Sequence, residues 1–258
     1  SKISPSWWRA VFIIATLAGA GILTAISVRD FRTAALPPEN RPIQSQISGY
    51  VSSNACRACH LENYNSWHGS FHRTMTQVAT PASLLDDVSK LDYTFNGREY
   101  KGERRGDKFF VRVRPENGDY GEPQQVVLLT GSHNLQILWL ESGQGRTLQQ
   151  LPIAYIVAEK MWAPVAETFL IPPQLKEYYS VGAWNGACMD CHVTQGQSRF
   201  VEGNRWDSQV AEFGIACEAC HSEGRQHIEA NRNPIRRFKL HLTTKTDPTI
   251  TNPSRLKG

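Results

Sequence analysis

The chain has 258 residues, a formal net charge of +4, and 40% hydrophobic and 20% charged residues. Its length allows one or two domains, and its composition is that of a folded protein. The mild charge, without an interleaved basic and aromatic patch, argues against a nucleic-acid-binding protein. The same net charge gives no reason to expect a strongly acidic docking surface.

An apolar run without a charge extends over residues 10–28. As a helix it would be about 28 Å long at about 1.5 Å per residue, which matches a bilayer core of roughly 30 Å. Trp7 and Trp8 precede the run, where they would lie at the membrane–water interface that indole side chains favour. Lys2 and Arg9 mark a cytoplasmic end. The run therefore predicts a single transmembrane anchor over residues 1–28, in contact with membrane lipid.

A cleaved signal peptide is the alternative interpretation of this run. The run is longer than the usual apolar segment of about 7–15 residues in such a peptide, and no clear Ala-x-Ala cleavage site follows it. A retained anchor is therefore the expectation. Pro37, Pro38 and Pro42 then lie among polar residues without apolar periodicity, so residues 29–50 are predicted to be a semi-rigid linker.

A Cys-x-x-Cys-His pentad occurs three times in the remaining chain. Two cysteines at this spacing can form thioethers to the two vinyl groups of one haem, and the following histidine can bind the iron. The pentads use all six cysteines of the chain. We number them pentad 1 (Cys56, Cys59, His60), pentad 2 (Cys188, Cys191, His192) and pentad 3 (Cys217, Cys220, His221).

A zinc ribbon or a thiol redox pair could also use Cys-x-x-Cys. A zinc ribbon needs no histidine after the second cysteine, and a redox pair needs only one motif. The sequence therefore predicts three covalently bound c-type haems, with the cysteines as attachment points and His60, His192 and His221 as iron ligands. Because such haems are attached outside the cytoplasm, everything after Val28 is expected on the periplasmic side of the cytoplasmic membrane.

The segment between pentads 1 and 2 has the pattern of strands and turns. Asn96-Gly97 is a strong hairpin signal, and strand-like runs occupy residues 124–130, 135–141 and 151–157. A mainly antiparallel sheet of five to seven strands is predicted over about residues 91–172. The expected fold class is α+β: one transmembrane helix, then a trihaem domain over residues 51–258 with short helices around the haems and this β-rich insert.

Five histidines lie outside the pentads: His68, His72, His133, His227 and His241. They are enough to supply a second imidazole to each of three irons. Pentads 2 and 3 are close in sequence, so their haems are expected to be neighbours that exchange electrons rapidly. The residues alone do not choose among the five histidines.

Several further stretches resemble the multihaem cytochromes c typified by the tetrahaem electron acceptor of hydroxylamine oxidoreductase and its octahaem relatives. The resemblance covers about residues 50–258 and implies bis-histidine haems in closely packed pairs. It implies distal iron ligation by His72, His133 and His227. The stretches are Ser66-Trp-His-Gly-Ser-Phe-His72, Gly131-Ser-His133-x-x-Gln136 with Trp139, Leu151-Pro-x-x-Tyr155, and Gly214-Ile-Ala-Cys217 continuing to His227.

The predicted function is a membrane-anchored trihaem cytochrome c that transfers electrons on the extracytoplasmic side. Its expected partner is an integral-membrane redox complex or a neighbouring cytochrome, as a subunit of a respiratory or photosynthetic assembly. One alternative is a reductase of small nitrogen or sulfur oxyanions, and another is an anchored quinol dehydrogenase. Relatives usually carry four or more haems, so the sequence represents either a three-haem version or part of a longer protein.

Overall fold

A large antiparallel sheet is the framework of the protein. The computed structural model describes residues 40–172, 181–203, 205–243 and 246–251. The strands are β1 Ile43–Gln44, β2 Thr76–Val78, β3 Asp92–Phe95, β4 Arg98–Arg105, β5 Lys108–Pro115, β6 Gln124–Thr130, β7 Leu135–Glu141, β8 Leu148–Ile156, β9 Met161–Pro164, β10 Val193–Gln197, β11 Phe200–Val201, β12 Arg205–Trp206 and β13 Gln209–Phe213.

The large sheet has eight strands and follows the chain from β3 to β9, with β2 paired to β6. Its first hairpin turns at Asn96 and Gly97, which have φ values of 50° and 67°. A two-residue type I′ turn needs positive φ at both central positions, which Asn-Gly tolerates best. The turn prediction is therefore confirmed, and Phe95 pairs with Arg98 directly across it.

The central strands of the sheet are buried on both faces. Leu129 and Leu138 belong to one hydrophobic cluster, while Leu128 and Trp139 belong to the cluster on the opposite face. The second cluster also includes Trp184 and Met189 of the segment that holds pentad 2, and Val193 and Val210 of the strands β10 and β13. One face of the large sheet thus supports the part of the chain that contains pentad 2.

A small sheet connects pentads 2 and 3. Strand β10 follows His192 directly and pairs antiparallel with β13, which ends shortly before Cys217; Val193 lies opposite Phe213. Strand β1 adds to β13 in parallel, with Ile43 opposite Gln209. The two pentads are therefore attached to adjacent ends of one strand pair.

The helices of the described residues are all short. The α-helices are α1 Ser53–Arg57, α2 Leu61–His68, α3 Val165–Thr168, α4 Met189–His192, α5 Cys217–His221, α6 Arg225–Asn231 and α7 Pro234–Leu242. Short 3-10 turns occupy Arg73–Met75 and Val88–Lys90, and a π-helical turn occupies Trp184–Cys188.

The predicted fold class, a transmembrane helix followed by a domain of short helices around the haems with a β-rich insert, is wrong. The sheet is the framework around which the short helices lie, and it recruits β2 from outside the predicted insert. The physical reason is burial: helices of four to nine residues cannot cover a core, whereas strands such as β6 and β7 bury side chains on both faces. Three predicted strand-like runs nevertheless coincide with β6, β7 and most of β8.

The predicted single-pass membrane localisation is also contradicted. Within residues 40–172, 181–203, 205–243 and 246–251, no helix is long and apolar enough to cross a bilayer. The predicted anchor, residues 10–28, lies outside these ranges, as does the first part of the predicted linker.

Candidate haem centre

Each pentad lies on or beside a short helical turn. In pentad 1 the backbone N–H of His60 donates to the carbonyl of Cys56 at 3.0 Å, so the motif closes one turn. Residues three apart on a helical turn share a face, which places the two cysteines of a pentad side by side. None of the six cysteines is in a disulfide, and in each pentad the first is partly buried and the second exposed. This arrangement suits attachment to one flat porphyrin edge.

The zinc alternative lacks geometric support. Among the described residues, no group of three or more Cys, His, Asp or Glu side chains comes together as a metal-ion site.

Pentads 1 and 3 contact each other, although they are far apart in sequence. The thiols of Cys56 and Cys217 lie within hydrogen-bonding reach. This bond, together with burial, raises the pKa of Cys56 far above its ordinary range, and it lowers the pKa of Cys217 to about 6 against the effect of burial. The sequence predicted pentad 3 to be the neighbour of pentad 2; its direct cysteine contact is with pentad 1.

Glu218, inside pentad 3, holds these two pentads together. Its carboxylate is 4% exposed and accepts the backbone N–H groups of Val51, Ser52 and Gly224, the last at 2.7 Å. A buried carboxylate is stable only when such donors replace water. Glu218 therefore ties the entry to α1 onto the turn of α5.

Glu212 makes a second connection between the same segments. Its carboxylate accepts from both the backbone N–H and the hydroxyl of Ser53, at 2.8 and 3.0 Å. Burial raises the pKa of Glu212, and the two bonds from Ser53 partly offset this. The Ser53 hydroxyl also accepts from the backbone N–H of Cys217 at 3.3 Å. The contact between pentads 1 and 3 is thus built into the fold.

The His227 imidazole lies opposite that of His60. The ring centroids are 6.1 Å apart and the ring planes differ by 25°. Two imidazoles that bind one metal from opposite sides, with metal–nitrogen bonds of about 2.0–2.1 Å each, have ring centres roughly 6 Å apart. The pair has the right separation for one iron between them.

The remaining ring nitrogen of His227 is already occupied. Its Nδ1 lies 3.2 Å from a carboxylate oxygen of Asp247, which also accepts from Asn231 at 2.7 Å. The other carboxylate oxygen accepts from Arg236 and Thr249. The Asn231 amide nitrogen also lies 3.1 Å from this Nδ1, but its two protons are used by the Asp247 carboxylate and by the His227 carbonyl, at 2.7 and 2.9 Å. A proton on Nδ1 donated to Asp247 therefore leaves Nε2 free as a metal ligand.

Asp247 is an anion at neutral pH. Burial alone would raise its pKa, but hydrogen bonds from Thr249 and Asn231, then the charge of Arg236, hold the pKa of Asp247 well below its usual range. Its side chain is 11% exposed. Sequence reasoning did not identify this residue, because an isolated aspartate near the basic end of the chain gives no signal of its partner.

His221 and His192, the histidines of pentads 3 and 2, differ in their surroundings. The Nδ1 of His221 lies 2.9 Å from the carbonyl of Thr251, which fixes that nitrogen as a donor if Nε2 binds a metal. The His192 ring is partly buried, and burial lowers its pKa while a backbone hydrogen bond at Met75 opposes this. A neutral imidazole is the form that binds metals.

His72 and His133 lie near the same Met75 turn. The carbonyl of His72 accepts the N–H of Ile215, and His133 packs on Phe71 with ring centroids 4.1 Å apart. The N–H of Gly131 donates to the Met75 carbonyl at 2.9 Å, which fixes the loop before His133 against this turn. Both distal candidates therefore lie beside the Met75 turn, and the backbone of His72 is bonded to the residues just before pentad 3.

Gly214 allows the approach to pentad 3 to pass this turn closely. It has φ of 77°, and a Cβ there would lie 2.3 Å from the carbonyl oxygen of Arg73. Only glycine fits such a position. Trp67 adds a bond from its indole N–H to the Ile215 carbonyl at 2.7 Å. The two sequence stretches that contain Trp67 and Gly214 therefore contact each other in the fold.

The two other histidines have separate surroundings. His68 stacks on Tyr64 with centroids 5.5 Å apart, and His241 is exposed on α7. Neither is placed opposite a pentad histidine by the contacts that the structure describes.

Residues 175–222, which contain pentads 2 and 3, match the family model described as cytochrome c554 and c-prime. No curated protein sequence matches the chain. A solved structure, the outer cell wall cytochrome OcwA, is similar at a TM-score of 0.46 and 18% identity. That match covers 72% of this chain and 34% of OcwA, so the chain spans about a third of that protein's length.

The repeated pentads and the family match define the class of protein: a multihaem c-type cytochrome. It binds c-type haem covalently. The match supports this class and not the narrower group of the hydroxylamine oxidoreductase electron acceptor.

Proposed function

We propose that this cytochrome holds three haems, one on each pentad, and that it is an electron carrier without substrate turnover of its own. A c-type haem supplies one-electron redox chemistry when bound. The polypeptide fixes the attachment points, supplies the axial imidazoles and holds the pentads in their relative positions. The following residues support this proposal.

The facing imidazoles of His60 and His227 are the observation that carries it. With His60, a His227 already oriented by Asp247 would hold the iron of a haem on pentad 1. Two fixed imidazoles keep the ligand set unchanged when the iron changes oxidation state, which suits electron transfer. They also keep small molecules from the metal, whereas an oxyanion reductase needs an open position at the iron for its substrate.

The contact between Cys56 and Cys217 supports a haem pair formed by pentads 1 and 3. Each first cysteine would attach one porphyrin edge, so the link between Ser53, three residues before Cys56, and the backbone of Cys217 would bring two porphyrin edges together. The buried carboxylates of Glu212 and Glu218 hold this arrangement from the protein side. Rapid exchange between these two haems follows from their proximity.

His72 and His133 are proposed as the distal candidates for the remaining irons. Both lie beside the Met75 turn, whose backbone also interacts with His192 of pentad 2, while the His72 carbonyl accepts the N–H of Ile215 just before pentad 3. The proposed partner is another redox protein, such as a neighbouring cytochrome, that takes up or supplies single electrons.

Haem content and spin state test this proposal on the mature protein. We expect the native mass to equal that of the polypeptide plus three haems, and we expect low-spin ferric spectra from all of them. A mass with fewer haems would overturn the count. Turnover of nitrite, hydroxylamine or tetrathionate at a high-spin haem would overturn the carrier function.

A further inference from the structure

One short segment, residues 246–251, contacts the Nδ1 atoms of two histidines that belong to different pentad sites. The carboxylate of Asp247 lies 3.2 Å from Nδ1 of His227, which faces His60 of pentad 1. The carbonyl of Thr251 lies 2.9 Å from Nδ1 of His221 in pentad 3. The backbone N–H of Thr251 returns a bond to the His221 carbonyl at 3.2 Å. We call residues 246–251 the C-terminal segment.

We propose that Asp247 is a positioning residue that lowers the reduction potential of the haem on pentad 1 relative to the haem on pentad 3. This inference rests on the proposed ligation of the first iron by His227 and of the other by His221. The C-terminal segment offers a charged acceptor to one ligand and a neutral acceptor to the other. It thereby gives the two adjacent haems different potentials.

The difference follows from the strength of the two hydrogen bonds. A bond from Nδ1–H to a carboxylate is charge-assisted and roughly twice as strong as one to a neutral carbonyl. It makes the imidazole a more basic ligand, and a more basic ligand stabilises the ferric iron over the ferrous iron. The haem ligated by His227 should therefore accept an electron less readily.

Two features confine the effect of Asp247 to His227: its carboxylate is buried, and its two oxygens have different partners. The Asp247 side chain is only 11% exposed, so solvent screens its charge weakly. One oxygen faces His227 and Asn231, while the other accepts from Arg236 at 2.9 Å. Arg236 therefore partly neutralises the carboxylate from the oxygen that does not face His227.

The test is a redox titration of the full-length, haem-loaded protein that carries Asp247→Asn, a substitution that keeps the shape and removes the charge. We expect the reduction equilibrium of one haem to shift about tenfold toward the ferrous form, about 59 mV for a one-electron couple. That haem should remain low-spin, and the haem on pentad 3 should be unchanged.

Two further variants separate a tuning role from a structural one. Thr249→Ala removes a hydroxyl bond of 2.6 Å to the same carboxylate but keeps its charge, so the shift should be less than about a third of that for Asp247→Asn. Arg236→Gln removes the counter-cation and should move the same haem the opposite way, toward a lower potential. This second sign test remains available if Asp247→Asn does not fold.

A shift of equal size in Thr249→Ala, or no shift in either Asp247→Asn or Arg236→Gln, would overturn the inference. Failure of the underlying ligation gives a different result: His227→Ala would then leave every haem low-spin. If His227→Ala makes one haem high-spin while the Asp247 and Arg236 variants leave all potentials unchanged, only the role of Asp247 is wrong.

Discussion

The imidazole of His227, on α6, lies 6.1 Å from the imidazole of His60 in pentad 1, and its outer nitrogen is held by Asp247. The two histidines are far apart in sequence, and two structural features bring them together. Glu218 joins the entry of α1 to the turn of α5, and α6 follows α5 after only three residues. Placement of the distal ligand thus depends on the same contact that pairs pentads 1 and 3.

Replacing His227 by alanine should convert one haem from low to high spin while all three remain covalently attached. The covalent bonds come from the cysteines, and only the sixth ligand is lost. Electron paramagnetic resonance of the ferric protein measures this. His241→Ala is the matched control, since that exposed histidine lies on the neighbouring helix α7. Equal spectra of the two variants would show that His227 is not a ligand.

The pairing of haems on pentads 1 and 3 predicts a specific loss of optical coupling. Closely packed haems give a split circular dichroism signal in the Soret band. Replacing Cys217 and Cys220 by serine should abolish the splitting, because one member of the pair is then missing. Replacing Cys188 and Cys191 by serine should preserve it. Loss of the splitting in both variants would indicate that pentad 3 pairs with pentad 2.

Glu218→Gln should lower the free energy of unfolding by about 1–3 kcal/mol, because one buried charged acceptor of three backbone N–H groups is weakened. Thermal and denaturant unfolding measure this. Glu202→Gln, on an exposed turn, is the control and should change stability by less than about 0.5 kcal/mol. A Glu218 variant as stable as the control would remove this residue from the connection between the pentads.

Stability should depend on pH through Glu212. Burial raises the pKa of this carboxyl above the ordinary 4.5 of an unfolded chain. The native state therefore binds the proton more tightly, and its contribution to stability is complete below pH 4.5 and is lost as pH rises through the raised value. Glu212→Gln should flatten the unfolding free energy across this window. An unchanged slope in the variant would contradict the assignment.

The sequence allowed the local features to be predicted, since their determinants are contiguous. The three pentads are complete in five residues each, and Asn96-Gly97 specifies its own hairpin. Strands β6 and β7 were recognisable from their apolar residues. Their burial on both faces and the pairing of β2 with β6 were not predicted.

Long-range relationships could not be predicted in the same way. The contact of Cys56 with Cys217 depends on the buried bonds of Glu212 and Glu218, whose donors lie in another part of the chain. Proximity in sequence favoured pentad 2 as the neighbour of pentad 3 instead. Asp247 was missed because its role exists only once α6 and α7 fold beside it. The family resemblance indicated His227 as a distal ligand, but only the structure shows that it lies opposite His60.

The central claim is that three haems with filled axial positions make this protein an electron carrier. The most direct measurement integrates the low-spin ferric resonance signals of the undamaged protein and then adds carbon monoxide to the reduced form. We predict three low-spin irons per chain and no stoichiometric carbon monoxide binding. One high-spin iron that binds carbon monoxide stoichiometrically, with turnover of a nitrogen or sulfur oxyanion, would contradict the account.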